Sequence, residues 1–282
     1  MSLAMKAFEL LAKVLPDRDI DPLSRSEREI GKPLSRVDGP EKVKGEAQYT
    51  SDISVPGLAH AAVVCSTIAS GRIAEIDLCE AEQAPGVVFI MTHQNAPRLG
   101  EAPLLLDMKG ASFTRLPVLQ DPVIRWNGEP VAVIVAETEE QADHAASLVR
   151  VTYQAEPAQI GFDVLKAEAR EPADVLGQPA ELKKGDAEIA LASASAVVDG
   201  IYRTPRHNHC AIELHATTAE WHGDNCLTLY DASQAVSLTR APLAKIFRLK
   251  PKNVRVISHV VGGGFGNKMA WNHQVLCAAA AK

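Results

Sequence analysis

The chain has 282 residues, 46% of them hydrophobic, with a formal charge of −6 and a pI near 5.9. That length can bury a sizeable core and is enough for roughly two domains, while the acidic balance, with no clustered Lys/Arg face, excludes nucleic acid as the main partner. Five scattered cysteines (Cys65, Cys79, Cys210, Cys226, Cys277) without any C-x-x-C exclude an iron–sulfur cluster held by this chain and read as free thiols of a reducing compartment.

In chain order, Met1–Pro16 sets Phe8, Leu11 and Leu15 on one helical face with Glu9 and Lys13 off it. This is the pattern of a short amphipathic helix rather than a secretory signal. The charged, proline-punctuated residues 16–35 predict an extended arm that faces a partner. From Arg36 onward short strands alternate with turns: a buried strand over Leu58–Thr67, then a half-buried one over Arg72–Leu78. In the latter, Ile73, Glu75 and Asp77 face one way and Ala74, Ile76 and Leu78 the other. A helical turn over Cys79–Ala84 is ended by Pro85-Gly86 and followed by a strand over Val87–Met91. Asn127-Gly128-Glu129-Pro130 introduces a fully apolar strand, Val131–Ala136, and Thr138 is placed to cap a helix running to Val149. Glu139 and Glu140 favour its first turn, and Val151–Tyr153 closes the unit as a strand.

Residues 155–182 are a Pro/Ala/Glu-rich connection expected to wrap over a surface. Beyond it the pattern predicts strands over Ala196–Tyr202, Ala216–Trp221 and Cys226–Tyr230, the last two joined by a hairpin turn at His222-Gly223-Asp224-Asn225. A helix follows Asp231-Ala232-Ser233-Gln234 and runs to about Leu249 ahead of Pro251, then a strand over Val254–Val261 and an Ala-rich helix over Trp271–Lys282. Strands and helices mix without a strict βαβ rhythm, which predicts an α+β fold. In the last helix Val275 is β-branched and only Ala278–Ala281 are strong helix formers. Exposed apolar surface is therefore expected at this end, with rapid proteolysis of the last hundred residues while 36–155 survive.

The sharpest local motif is Val261-Gly262-Gly263-Gly264-Phe265-Gly266-Asn267-Lys268, between a strand and a helix. Glycines there let the backbone approach a ligand closely and leave amide N–H groups for oxo anions, although a tight structural turn reads equally well. Asn267 stands where the dinucleotide fingerprint needs its last glycine, and no Walker-type G-x-x-x-x-G-K-[ST] is present. His207, His209 and His215, with Glu213 nearby, lack a repeated ligand spacing and read as satisfied strand histidines rather than a protein-held metal. Spacing alone names no catalytic residue.

Several segments, in one order, resemble the N-terminal part of the molybdopterin-binding large subunit of the xanthine dehydrogenase/aldehyde oxidase family, the bacterial aldehyde oxidoreductase type in particular. They are Arg36-Val37-Asp38-Gly39-Pro40-Glu41-Lys42-Val43-Lys44-Gly45, Ala84-Pro85-Gly86-Val87, and the run Gly128-Glu129-Pro130-Val131 to Thr138. Lys184-Gly185-Asp186, Tyr202-Arg203-Thr204-Pro205-Arg206-His207-Asn208-His209, Ser233-Gln234 and Val260-Val261-Gly262-Gly263-Gly264-Phe265-Gly266 complete the set. The resemblance runs from about Arg36 to the end, nearly nine-tenths of the chain. It implies an arm (1–35), a small α/β hammerhead domain (36–155), a linker (156–182) and the first part of a molybdopterin-binding domain (183–282).

It also implies a molybdenum–pyranopterin cofactor, often a cytosine dinucleotide form in bacteria, whose metal is held by the pterin dithiolene and not by protein ligands. Gln234 matches the family's glutamine that donates to a molybdenum oxo group; Gly263, Gly264, Phe265 and Gly266 match the segment that cradles the cofactor, with the Phe265 ring steering substrate. The implied activity is oxidation of aldehydes or N-heterocycles with water as oxygen source, electrons leaving through iron–sulfur and FAD partner subunits. A cytoplasmic location is expected by default, because no apolar run approaches the ~20 residues of a membrane span. Two positions depart from the pattern. The family's Met-Glu-Pro is Ile212-Glu213-Leu214, and Met269 replaces the glutamate of purine-oxidising members, which points away from xanthine.

Family large subunits continue for several hundred residues past this point and carry their general-base glutamate there. The chain alone is thus expected to be inactive, and to be a fragment, a truncation or one half of a split subunit completed by another chain. The rival reading is a non-catalytic interaction module of the same fold; a weaker one is a generic nucleotide-phosphate binder.

Overall fold

A computed structural model of the chain describes residues 32–101, 119–172, 174–175, 178–181, 183–269 and 272–282. The chain forms two compact units, Met1–Ala47 and Gln48–Lys282. In the first, helix α1 (Gly39–Lys44) starts with proline in its first turn and stops at Gly45, whose φ of 73° makes the left-handed cap. The expected amphipathic helix over Met1–Pro16, and the arm as far as residue 31, lie outside the described residues.

The second unit opens with strands β1 (His60–Cys65) and β2 (Gly71–Asp77), the single-turn helix α2 (Cys79–Glu82), and strands β3 (Val87–Thr92), β4 (Val123–Ile124) and β5 (Pro130–Ala136). Helix α3 (Glu139–Leu148) and strand β6 (Arg150–Ala155) follow. One antiparallel sheet has the order β1-β5-β3, another β4-β2-β6. The central strand β5 is apolar throughout because both of its faces are covered. Ala132 and Ile134 pack with Ala145 of α3, and Ala136 with Ala142, whereas Val133 on the other face joins a core shared with Leu227 and Leu229. Thr138 caps α3 as its sequence predicts: its side chain accepts from Gln141 N at 3.3 Å while Gln141 Oε1 accepts from Thr138 N at 3.1 Å.

Two strand expectations change. β1 is an edge strand, and Ala62 is its one buried residue, so the buried strand expected over Leu58–Thr67 is shorter and largely exposed. In β2 a bulge between Ile73 and Glu75 shifts the register against β6, which breaks the strict alternation and leaves both Ile73 and Ile76 half-buried.

From 156 to 210 every residue with described burial is exposed. This stretch holds the short helix α4 (Phe162–Leu165), a minimal hairpin of β7 (Asp174–Val175) and β8 (Gln178–Pro179), and helix α5 (Ala187–Ser193). The expected strand over Ala196–Tyr202 does not form. Its apolar residues Val197, Val198 and Ile201 meet no sheet edge among the described residues, and a strand without a partner leaves its backbone groups unpaired.

The remainder is β9 (Thr217–His222), β10 (Cys226–Asp231), α6 (Val236–Ile246), β11 (Val254–Ile257) and α7 (Asn272–Ala280). β9 and β10 form the expected hairpin around Gly223, and β10 pairs in parallel with β11, with α6 as the crossover that parallel pairing requires. α6 stops at Ile246, short of the expected Leu249, and β11 at Ile257, short of Val261. Exposed apolar surface was expected at the C-terminal end; instead Val275, Leu276, Ala278 and Ala279 of α7 are buried against Leu227, Val254 and Phe247. Alanine side chains permit this close approach, and Trp221 Nε1 ties the helix to β9 by donating to the Ala278 carbonyl at 2.8 Å. Exposed large apolar residues are concentrated between 160 and 214, whereas beyond 217 only Val236 and Phe265 are exposed among the described residues.

Candidate functional site

After β11 the chain leaves the sheet and makes the glycine loop before α7 begins. Gln234 leaves the C-terminal end of the neighbouring strand, β10, so the parallel pairing sets the two segments side by side. The contact is direct. Gln234 N donates to the Lys268 carbonyl at 2.7 Å, and Gln234 Oε1 accepts from the N–H groups of Gly266 (3.1 Å) and Lys268 (3.2 Å). With its carbonyl oxygen engaged by two backbone donors, the amide has one orientation, and among the described residues its Nε2 meets no acceptor. The side chain is exposed, so this donor is open to a ligand.

Glycine is required at two loop positions for lack of room. A Cβ on Gly264 would sit 2.3 Å from Gln234 Oε1, and one on Gly262 would sit 2.5 Å from Glu213 Cβ and 3.0 Å from Tyr49 Cε1. Gly263 and Gly266 have φ of 94° and 91°, and Phe265 also takes the left-handed region at 54°, which is uncommon for an aromatic residue. A turn closed by Asn267 N donating to the Gly264 carbonyl at 2.8 Å holds Phe265 at the tip, its ring against Gly263 and 71% exposed. Among the described residues the three consecutive N–H groups of Gly263, Gly264 and Phe265 have no acceptor. Successive unpaired amides around left-handed residues make an anion-binding concavity whose donors are already in place.

Beneath the loop lies a polar cluster that local sequence patterns missed. Lys268 is 1% exposed; its Nζ donates to Glu213 Oε2 at 2.6 Å, and Gly262 N donates to the same oxygen at 2.6 Å. Glu213 Oε1 is buried with no donor among the described residues. His215 Nε2 lies 2.9 Å from Asn267 Nδ2, and its ring centroid is 4.6 Å from that of His273. Burial, followed by His273 and Lys268, pushes the His215 pKa below the ordinary histidine value against the opposing pull of Asp231 and Glu213. Fully buried Asp231 accepts from Thr217 Oγ1 and Gln274 Nε2, both at 2.6 Å. The pairing of residues 213 and 268 had no sequence signal beyond the Ile-Glu-Leu departure.

The structure therefore brings Gln234, Gly263, Gly264, Phe265 and Gly266 into one constellation. His207 and His209 are apart from it, exposed and outside any strand, so the expectation of strand histidines fails for them. Glu213 is taken up by Lys268 and Gly262, not by histidines. Among the described residues no group of three or more His, Cys, Asp or Glu is arranged to hold a metal, and no helix is long and apolar enough to cross a membrane.

Residues 44–157 match the model of the aldehyde oxidase and xanthine dehydrogenase a/b hammerhead domain, and residues 168–282 that of a molybdopterin cofactor-binding domain. The chain is 36% identical over 254 residues to the aldehyde oxidoreductase molybdenum-binding subunit PaoC of Escherichia coli strain K12, with 89% of this chain and 33% of that protein covered. It is 31% identical over 241 residues to the xanthine dehydrogenase molybdenum-binding subunit of Escherichia coli O157:H7, with 83% of this chain and 32% of that one covered. It thus spans about a third of the length of these two relatives. Among solved structures it is similar to quinoline 2-oxidoreductase of Pseudomonas putida 86 (TM-score 0.74, 27% identity, 88% of this chain and 32% of that one). It is also similar to the aldehyde oxidoreductase of Desulfovibrio gigas (TM-score 0.73, 26% identity, 87% and 28%).

Proposed function

Because the chain belongs to the xanthine dehydrogenase/aldehyde oxidase family and corresponds to the N-terminal part of its molybdopterin-binding large subunit, we propose that its glycine loop and Gln234 form one wall of a molybdenum–pyranopterin site. The carrying observation is the run of three amides, Gly263 to Phe265, that have no acceptor among the described residues, beside the Gln234 Nε2 that has none there either. Such a donor-rich, Cβ-free surface fits a cofactor that presents oxygen and sulfur atoms, and it supplies no protein ligand to a metal held by the pterin itself.

When bound, the cofactor supplies two-electron oxidation of an aldehyde or N-heterocycle with water as oxygen source. The chain's own residues bind and orient. Gly263, Gly264 and Phe265 N–H, with Gln234 Nε2, offer hydrogen bonds where negative charge builds up. The exposed Phe265 ring gives a planar substrate an apolar edge, and Met269 in place of a charged residue favours an aldehyde over a purine. Residues 36–155 serve as the hammerhead domain, 156–182 as the linker, 183–282 as the first part of the cofactor domain, and 1–35 as a partner-facing arm.

Iron–sulfur and FAD subunits receive the electrons, the cofactor is the cytosine dinucleotide form, and the assembly works in the cytoplasm. The general base is contributed from outside these residues, so the chain is inactive by itself. The exposed apolar side chains Ile160, Phe162, Val198, Ile201, Tyr202 and Ile212 support further protein packing on this stretch, whether from the same subunit or from a partner. The test is to purify the chain alone and with candidate partner chains, then assay molybdenum and released pterin nucleotide. Molybdenum in a complex supports the reading; none in any combination favours the non-catalytic module.

A further inference from the structure

The amides of Gly263, Gly264 and Phe265 keep their directions only if the segment from Gly262 to Lys268 keeps its shape, and two side chains hold it. Gln234 Oε1 takes the Gly266 and Lys268 amides. A single oxygen, Glu213 Oε2, takes the Gly262 amide at the start of the loop and the Lys268 ammonium at its end, each at 2.6 Å. A return bond from Glu213 N to the Gly262 carbonyl at 3.2 Å fixes the backbone beside it. Charge-assisted bonds of this length are the strong ones, and a carboxylate that is 8% exposed keeps them from competition with water. The packing is tight enough that Gly262 has no space for a Cβ under the Glu213 side chain.

We infer that Glu213 is a positioning residue for the cofactor loop: by tying both ends of the loop to one carboxylate oxygen, with Lys268 as the buried counter-charge, it aims the Gly263, Gly264 and Phe265 amides at a bound ligand. The role acts through the loop backbone and rests on the cofactor reading given above. Glu213 Oε1 has no donor of its own among the described residues, so the anchoring passes through Oε2. Lys268 cannot be removed alone without leaving an uncompensated buried carboxylate.

The test is a charge-balanced double variant, Glu213→Leu with Lys268→Met, since an apolar pair of similar volume often replaces a buried ion pair without loss of stability. Amide hydrogen exchange is measured on the cofactor-free chain. The amides of Gly262, Gly266, Asn267 and Lys268 are expected to exchange roughly tenfold faster or more, with those of β10 and β11 unchanged and the thermal midpoint kept. Equal loop exchange in the folded double variant overturns the inference.

Should that variant not fold, the wild-type chain decides, because a Gly262 amide that exchanges at the rate of an open loop is equally fatal. In any assembly where wild type carries molybdenum, the double variant is expected to carry roughly a tenth or less, a loss of one charge-assisted bond's worth of affinity; equal content overturns the positioning role. Wild type devoid of molybdenum everywhere would instead sink the cofactor reading, with the exchange measurement still deciding the clamp.

Discussion

Residues 160–214 and residues 217–281 are comparably rich in apolar side chains, yet among the described residues only the second stretch buries them. Leu227, Leu229, Val254, Val256, Val275 and Leu276 interlock between the β9–β11 sheet, α6 and α7. Phe162, Val198, Ile201, Tyr202 and Ile212 stand 78%, 91%, 86%, 92% and 98% exposed. Hydrophobicity by residue is therefore a poor guide to burial; what differs is whether another element is present to take the apolar face. The glycine loop belongs to the packed stretch, and that is why its amides have defined directions.

The sharpest way to break this comparison is truncation in both stretches. Leu229→Ala is expected to cost about 2–5 kcal/mol in urea denaturation, as for other core leucines, and Ile201→Ala no more than about 0.5 kcal/mol. Similar losses at the two positions would show that Ile201 packs on something. Limited proteolysis asks the same question without mutation. The first cuts should fall between residues 156 and 210, leaving a fragment from β9 onward that resists, and early cleavage within α7 would contradict the packing of that helix.

Glycine replacement carries the contrast into the site. Gly264→Ala drives a Cβ to 2.3 Å from Gln234 Oε1 and is expected to cost about 1–3 kcal/mol, with loss of exchange protection at Gly266 and Lys268. Gly185→Ala, in the exposed stretch, meets no atom within 4 Å and bears only the strain of its φ of 75°, about 1 kcal/mol, with no change at the loop.

Acidity should act selectively too. His215 is held neutral by burial, His273 and Lys268, so its pKa is lower folded than unfolded. The unfolded chain takes the proton first as pH falls through the ordinary histidine range. Its stabilisation is thus complete above about pH 7 and declines toward and below the lowered value. Protonated Nε2 becomes a donor facing Asn267 Nδ2, another donor, unless the Asn267 amide turns over. A thermal midpoint that falls from pH 7.5 to 5.5 in wild type, and falls less in His215→Gln, would bear this out. The smallest effect is chemical. Cys277, whose pKa burial pushes up to about 11, should be the last thiol to react with iodoacetamide at pH 8, after exposed Cys210 of the loose stretch.

Local chemistry made several elements legible in advance. Thr138 with Gln141 announces a capping box, the Gly-Asp-Asn turn announces a hairpin, and the apolar run 131–136 announces a central strand. Four glycines around Phe265, read together with Ser233-Gln234, pointed to the family and to residues that do meet in space. The strand expected at 196–202 failed because alternation specifies a strand only where a sheet edge accepts it. The exposed apolar end expected at α7 failed for the complementary reason: alanine's weak local signal hides how closely a helix can pack once a sheet lies against it.

What the order of residues determined by itself was whatever depends on near neighbours: caps, turns, periodicity, and the glycines that permit positive φ. Tertiary structure alone decided the rest. Glu213 and Lys268 are 55 positions apart, and nothing in either neighbourhood names the other. Only the parallel pairing of β10 with β11 brings Gln234 beside the loop, and only burial turns an ordinary Glu–Lys pair into a clamp, because the strength of a charge contact depends on how much water it has lost.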